Sequence, residues 1–224
     1  MKKLSICLLL CFVMISSLVL CGCSNNTEEA ETALKFYFSA LKGFNVNAME
    51  ENVKGDSDGD IGFEIEELSD DFRQSDTYKK RIEDMMRSLS STFAFTINSN
   101  EAGEGDCVKF NVTVKCSDVN QADLNAFMQE RVDKYLIKHP EAYDMDSYEY
   151  EETMIGVQAD AYGVFLEKQP RLSKDFVITV EKIDDKWKLA TASNAEFFAF
   201  LQDTYGNDEE PEVVEEVSEE VTEE

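Results

Sequence analysis

The sequence predicts an α+β domain in which an antiparallel sheet of about four strands is packed by helices. Three observations carry that expectation. Apolar residues recur at helical spacing early in the chain, they alternate one by one through 93–97 and 108–116, and both patterns then return a second time. The resulting order, helix–helix–strand–strand–helix–helix–strand–strand–helix, belongs to architectures that build an antiparallel sheet. With 224 residues, 43% hydrophobic and 11% aromatic, the chain has enough apolar material for such a core.

Each element has its own signal. From Thr27 onward, Leu34, Phe36, Tyr37, Phe38, Leu41 and Phe44 contain an i, i+3, i+4, i+7 stripe, so a core-facing helix is expected. A short continuation over Val46 to Val53 runs into the polar loop Gly55 to Asp60. The next helix starts near Ser75, a capping residue, and places Tyr78, Ile82, Met85, Met86 and Leu89 on one face. Phe93, Phe95 and Ile97 then alternate with Ala94 and Thr96. After a loop from Ser99 to Asp106, Val108, Phe110, Val112, Val114 and Cys116 alternate with polar neighbours. Two such runs read as a hairpin with one buried face.

A helix with Leu124, Phe127, Met128, Val132, Tyr135 and Leu136 inward follows and stops at Pro140; another, about Ser147 to Lys168, stops at Pro170. The second hairpin is expected over Phe176 to Ile183 and Lys186 to Ala192, around Asp184-Asp185. A short helix, Ala195 to Gln202, closes the domain. Residues 207–224 contain ten acids and no base, with Glu-Val-x-Glu repeated three times, and read as a solvated, disordered tail.

The first 23 residues give an address. Lys2 and Lys3 precede an apolar run, Leu4 to Leu20, broken only by serines, and the run ends in Leu20-Cys21-Gly22-Cys23. This resembles the signal peptide and lipobox of bacterial lipoproteins, with Cys23 as the residue that receives a diacylglyceryl group. A single membrane-crossing helix is the alternative, since seventeen residues is at the lower limit for a bilayer. The lipoprotein reading divides the chain into a signal peptide (1–22), a lipidated N-terminus and tether (23–26), a folded domain (27–206) and the acidic tail (207–224). It also places the protein at the extracytoplasmic face of the cell membrane, where two acyl chains give durable anchoring.

The folded part has a resemblance of its own. Ala33 to Lys42 directly after the anchor, the strand Val112-Thr113-Val114-Lys115 running into a helix, and the closing hairpin Val180 to Leu189 are similar to small Gram-positive lipoproteins. Those proteins carry a nuclear-transport-factor-2-like (cystatin-like) domain of unknown function. The resemblance implies a cone-shaped fold and an anchor, and hardly a chemistry. The usual Asp-Gly turn is Asp184-Asp185 here, at some cost where positive φ is wanted.

Charge limits the partners. Lys and Arg number 21 against 47 Asp and Glu, for a net charge of −26, which argues against nucleic acid and against charge-driven adhesion to anionic lipid. The single histidine, His139, sits at a helix end beside Pro140 and excludes a multi-histidine metal centre. After signal removal only Cys23, Cys107 and Cys116 remain. Cys107 and Cys116 lie nine extended steps apart on one strand, about 30 Å, too far for a disulfide.

Two candidate sites stand out. On a curved sheet Phe93, Phe95, Phe110, Val112, Ile178, Trp187 and Leu189 either fill the core or line a pocket. Asp56, Asp58, Asp60 and Glu67 fall at positions 1, 3, 5 and 12 of an EF-hand frame and offer a calcium reading; the frame's obligatory glycine is replaced by Ile61. No other cofactor is expected. The function expected is that of a membrane-anchored, non-enzymatic lipoprotein of the cell envelope that binds a ligand or protein partner. A small-molecule enzyme of the cone fold and a calcium-dependent adhesion or regulatory module are the alternatives.

Overall fold

The computed structural model describes residues 26–55, 61–62, 76–103 and 106–205. Helix α1 (residues 26–42) leads into α2 (Val46–Asn52) and a two-residue strand β1 (Val53–Lys54). Then come α3 (Asp76–Ser91), the hairpin β2 (Ala94–Ala102) and β3 (Cys107–Ser117), and the helices α4 (Gln121–Lys138) and α5 (Ser147–Leu166). The chain closes with β4 (Arg171–Ile183), β5 (Lys186–Ala190) and α6 (Ala195–Tyr205). The molecule is α+β, as the two periodicities predict. Ser75, expected to cap α3, and the acidic tail lie outside the described residues.

The sheet corrects one expectation. It has five strands in the order β1-β5-β4-β3-β2, and β1 runs parallel to β5, so the sheet is mixed rather than antiparallel. Val53 pairs with Leu189 and Lys54 with Ala190. The Thr191 amide and hydroxyl both donate to the Lys54 carbonyl. This short strand covers an edge of β5 that would otherwise be open. The other pairs are antiparallel, with Phe110 opposite Ile178 at the centre and a register shift between Ile97 and Ser99 in β2.

Strand β4 starts five residues before the expected Phe176. Arg171 to Asp175 are exposed, so no apolar alternation marks them, yet their backbones pair with Thr113 to Ser117 of β3. Strand β5 stops at Ala190, where a 3-10 turn (Ala192–Asn194) begins two residues later.

One face of the sheet is buried. Val108, Phe110, Val112, Val114 and Cys116 of β3 join Phe176, Ile178 and Val180 of β4 in a single core with residues of α1, α4, α5 and α6. The opposite face, with Lys109, Asn111 and Lys115, is left to solvent, where Thr113 donates to Asp175 and Asn111 to Ser99. In α1 the expected stripe is buried at Leu34, Tyr37, Phe38 and Leu41, whereas Phe36 is 52% exposed.

Helices α4 and α5 form an antiparallel hairpin whose base is tied to one end of the sheet. The Ser117 hydroxyl donates to the Leu166 carbonyl and the Asp118 amide to the Pro170 carbonyl. Leu124, Met128, Phe165 and Leu166 at the base belong to the main core. Farther out, Val132, Leu136, Ala142 and Met154 make a second, separate cluster around the 3-10 turn Pro140–Asp144. The hairpin thus extends beyond the sheet with its own small core at the tip, and α5 also packs against α3, where Arg81 lies 3.9 Å from Asp160. At the other end of the sheet lie the β4–β5 turn and the start of α1, joined where the Trp187 indole N–H donates to Glu29 at 3.2 Å.

Candidate functional site

The seven apolar candidates come together on the covered face of the sheet. Phe93, Phe110, Val112, Ile178, Trp187 and Leu189 are all buried, and Phe95 is half-buried against the same cluster. They pack into this face, and Val112 and Trp187 each also border a surface groove. The Phe38 ring stacks on Phe95 with centroids 4.0 Å apart, Phe95 on Phe93 at 5.8 Å, and Phe93 on Tyr205 at 6.2 Å. A second group of rings closes the middle: Phe176 meets Phe197 at 5.5 Å and Phe200 at 5.2 Å, while Tyr37 meets Phe197 and Phe198 edge-on. Offset and edge-to-face pairs of this kind add stability beyond the area they bury.

Three hydroxyls inside this core find partners there. The Ser90 and Tyr205 hydroxyls are 2.6 Å apart, and the Tyr37 hydroxyl donates to the Ile61 carbonyl at 3.2 Å. Burial pushes the Cys116 thiol from 9.0 up to about 11, with Arg171 opposing, and the Tyr162 hydroxyl from 10.0 up to about 12. Groups held neutral in this way are poor nucleophiles at neutral pH. Cys107, at the start of the same strand, is half-buried, and the two cysteines are thiols rather than a disulfide.

His139 lies far from this cluster. It caps the end of α4, stacks on Tyr135 with centroids 4.4 Å apart, and its Nδ1 is 3.0 Å from Glu141. Both partners are local, which accounts for the imidazole without any reaction.

The surface of the described residues carries shallow grooves. One of about 660 Å³ runs between α1, α2 and α3, lined by Phe36, Phe44, Asn45, Glu83 and Arg87. A second, of about 600 Å³, lies beside Trp187 and includes Glu29, Phe36, Glu51 and Lys188. A third, of about 440 Å³, has Asn98, Asn111, Asp175 and Glu196 along it.

The calcium candidates Asp56, Asp58, Asp60 and Glu67 lie outside the described residues, as does Cys23. Among the described residues no three His, Cys, Asp or Glu side chains converge as metal ligands. The residue that interrupts the calcium frame is placed, however. Ile61 is buried in the main core, and Gly62 follows at φ 93 with its α-carbon against the Phe198 ring. Ile61 stands where the frame needs its turning glycine, and here it serves as a core residue.

One polar residue has a role that the sequence did not signal. Strand β5 ends before it can pair with Thr179. The buried Asn194 side chain takes its place, accepting from the Thr179 amide at 2.8 Å and donating to the Thr179 and Ala190 carbonyls. An asparagine just ahead of an apolar helix reads as an ordinary cap; only the strand's end reveals the bridging.

No protein family matches the chain, and neither a curated protein nor a solved structure is detectably similar to it. Among the described residues no helix is long and apolar enough to cross a membrane.

Proposed function

We propose that this chain is a non-enzymatic lipoprotein of the cell envelope, held at the extracytoplasmic face of the membrane by lipid on Cys23. Its domain, of the nuclear-transport-factor-2-like type, binds a partner by its outer surface. The anchor rests on the order of residues 2–23: two lysines, the apolar run, and Leu20-Cys21-Gly22-Cys23. Lipid on the Cys23 sulfur supplies the attachment, and the acidic domain then adds little charge attraction to anionic headgroups.

The observation that supports binding over transformation is the ring packing on the covered face. A cone-fold enzyme works in a chamber beneath its sheet, holding a reacting group against a second one. Here the stacked rings of Phe38, Phe95, Phe93 and Tyr205 occupy that region, and three hydroxyls in the same core are bonded to one another or to backbone. Contact with a partner is left to the grooves and to the projecting hairpin.

The anchor is tested by Cys23→Ala in the full chain, followed by membrane fractionation and detection of the lipid. The variant should stay as uncleaved precursor without diacylglyceryl. Normal cleavage and membrane retention of Cys23→Ala would remove the anchor reading.

A further inference from the structure

We propose that the tip of the α4–α5 hairpin is a docking surface for a Lys- or Arg-rich segment of a partner protein. The tip exposes Ile137 at 81%, Tyr143 at 70% and Tyr148 at 46%, all within one turn of the connection between the two helices. Large apolar side chains this open, gathered at one place, mark an interaction surface more often than scattered ones do. The platform under them is built. Val132, Leu136, Ala142 and Met154 are packed beneath in a cluster separate from the main core, and Asp146 caps α5 by accepting from the Tyr148 and Glu149 amides.

The charge around these side chains selects the occupant. Glu141, Asp144, Asp146, Glu149 and Glu151 are exposed, and Lys138 is the one Lys or Arg between residues 138 and 152. They lie on the 3-10 turn, at the α5 N-cap and in the first two turns of α5, close enough to act jointly over a Debye length of about 8 Å. A second copy of this tip, a nucleic acid and an anionic membrane would each bring like charge against like. A cationic segment instead gains both from the carboxylates and from Tyr143 and Tyr148, whose ring faces attract ammonium and guanidinium groups.

Position agrees with that role. The hairpin leaves the sheet at Ser117 and Pro170, the end opposite the Trp187–Glu29 contact that fixes the start of α1. Three residue steps separate Cys23 from Asn26, a reach of about 11 Å. An anchor there holds the α1 end near the bilayer and leaves the tip facing outward. This orientation, unlike the chemistry of the tip, rests on the lipid-anchor reading.

The test uses the full-length protein in nonionic detergent micelles and, as probe, a fluorescent synthetic decapeptide of lysine and arginine with two leucines. Anisotropy should show saturable binding that weakens as salt rises. Combined Tyr143→Ala and Tyr148→Ala should cost about tenfold in affinity. The triple variant Asp144→Asn, Glu149→Gln, Glu151→Gln should cost a similar factor and flatten the salt dependence. The control Asp184→Asn, Asp185→Asn, at the other end of the molecule, should change affinity less than about twofold. Unchanged thermal midpoints establish that the tip variants remain folded. Absence of binding, wild-type affinity in either tip variant, or an equal loss in the control overturns the proposal. Repeating the titration with Cys23→Ala separates it from the anchor reading: lost lipid with unaltered peptide affinity leaves the docking surface standing by itself.

Discussion

Gly62 shows how much a single residue constrains this fold. It adopts φ 93, and a β-carbon there would lie 1.9 Å from the Phe198 ring, which is itself locked among Tyr37 and Phe197. Gly62→Ala therefore combines backbone strain with overpacking and should cost about 2–4 kcal/mol, read from the denaturant midpoint. A loss under 0.5 kcal/mol would mean that this segment does not pack as described (about the size expected of a surface change). Cys116 makes a second prediction at this scale. Its folded pKa of about 11 exceeds the reference 9.0 because burial disfavours the thiolate. The unfolded chain therefore loses this proton first, and the stabilisation, complete below pH 9, disappears as pH rises towards 11. The thermal midpoint should hold level at pH 8 and fall from pH 9. Cys116→Ala should start from a lower midpoint, with its decline delayed until the buried tyrosines titrate. An unchanged onset in that variant would contradict the assignment.

Among the elements, the β4–β5 turn is the clearest case of a local conflict resolved by its surroundings. Asp184 and Asp185 take φ 49 and 61, the two-residue turn that Asn-Gly or Asp-Gly forms with least strain. Asp185→Gly should relieve that strain and stabilise the domain by roughly 0.5–1 kcal/mol, measured by chemical denaturation; destabilisation would show that the Asp185 side chain matters to the turn. The end of α1 is a similar case. The Phe44 amide bonds to the Leu41 carbonyl and the Asn45 amide to the Ala40 carbonyl, a Schellman closure with Phe44 at φ 49 where glycine is usual. Burial of Phe44 against Tyr205 offsets the strain. These elements also mark how far the sequence could be read. Every long helix and both hairpins announce themselves, because each buries one face and the period of that face is visible. Strand β1 does not, because two residues carry no period and its partner β5 is more than 130 residues away in sequence. Nor does the start of β4, whose exposed residues are held by backbone pairing alone. The apolar candidates were legible as a set, but their choice between pocket and packing depended on Phe38 and Tyr205, which come from other elements.

At the scale of the whole molecule, the layout gives each end a different character. Trp187, Glu29 and the start of α1 mark one end, and the α4–α5 hairpin stands at the other with its own core and exposed rings. The core between them is packed with aromatic rings, a design suited to holding a surface in place. Calcium is a further test at this scale, since a cation that binds only the folded state must raise its stability. With Ile61 committed to the core, millimolar calcium should move the thermal midpoint no more than magnesium does. A selective rise, abolished by Asp58→Ala, would support the calcium reading instead. The central claim, an anchored domain that starts at Cys23, is tested most directly by intact-mass spectrometry of the protein taken from the membranes of bacteria expressing the full gene. The account predicts a chain beginning at Cys23 and heavier than its peptide mass by a diacylglyceryl group. A mature chain without lipid, or one that keeps residues 1–22, would contradict it.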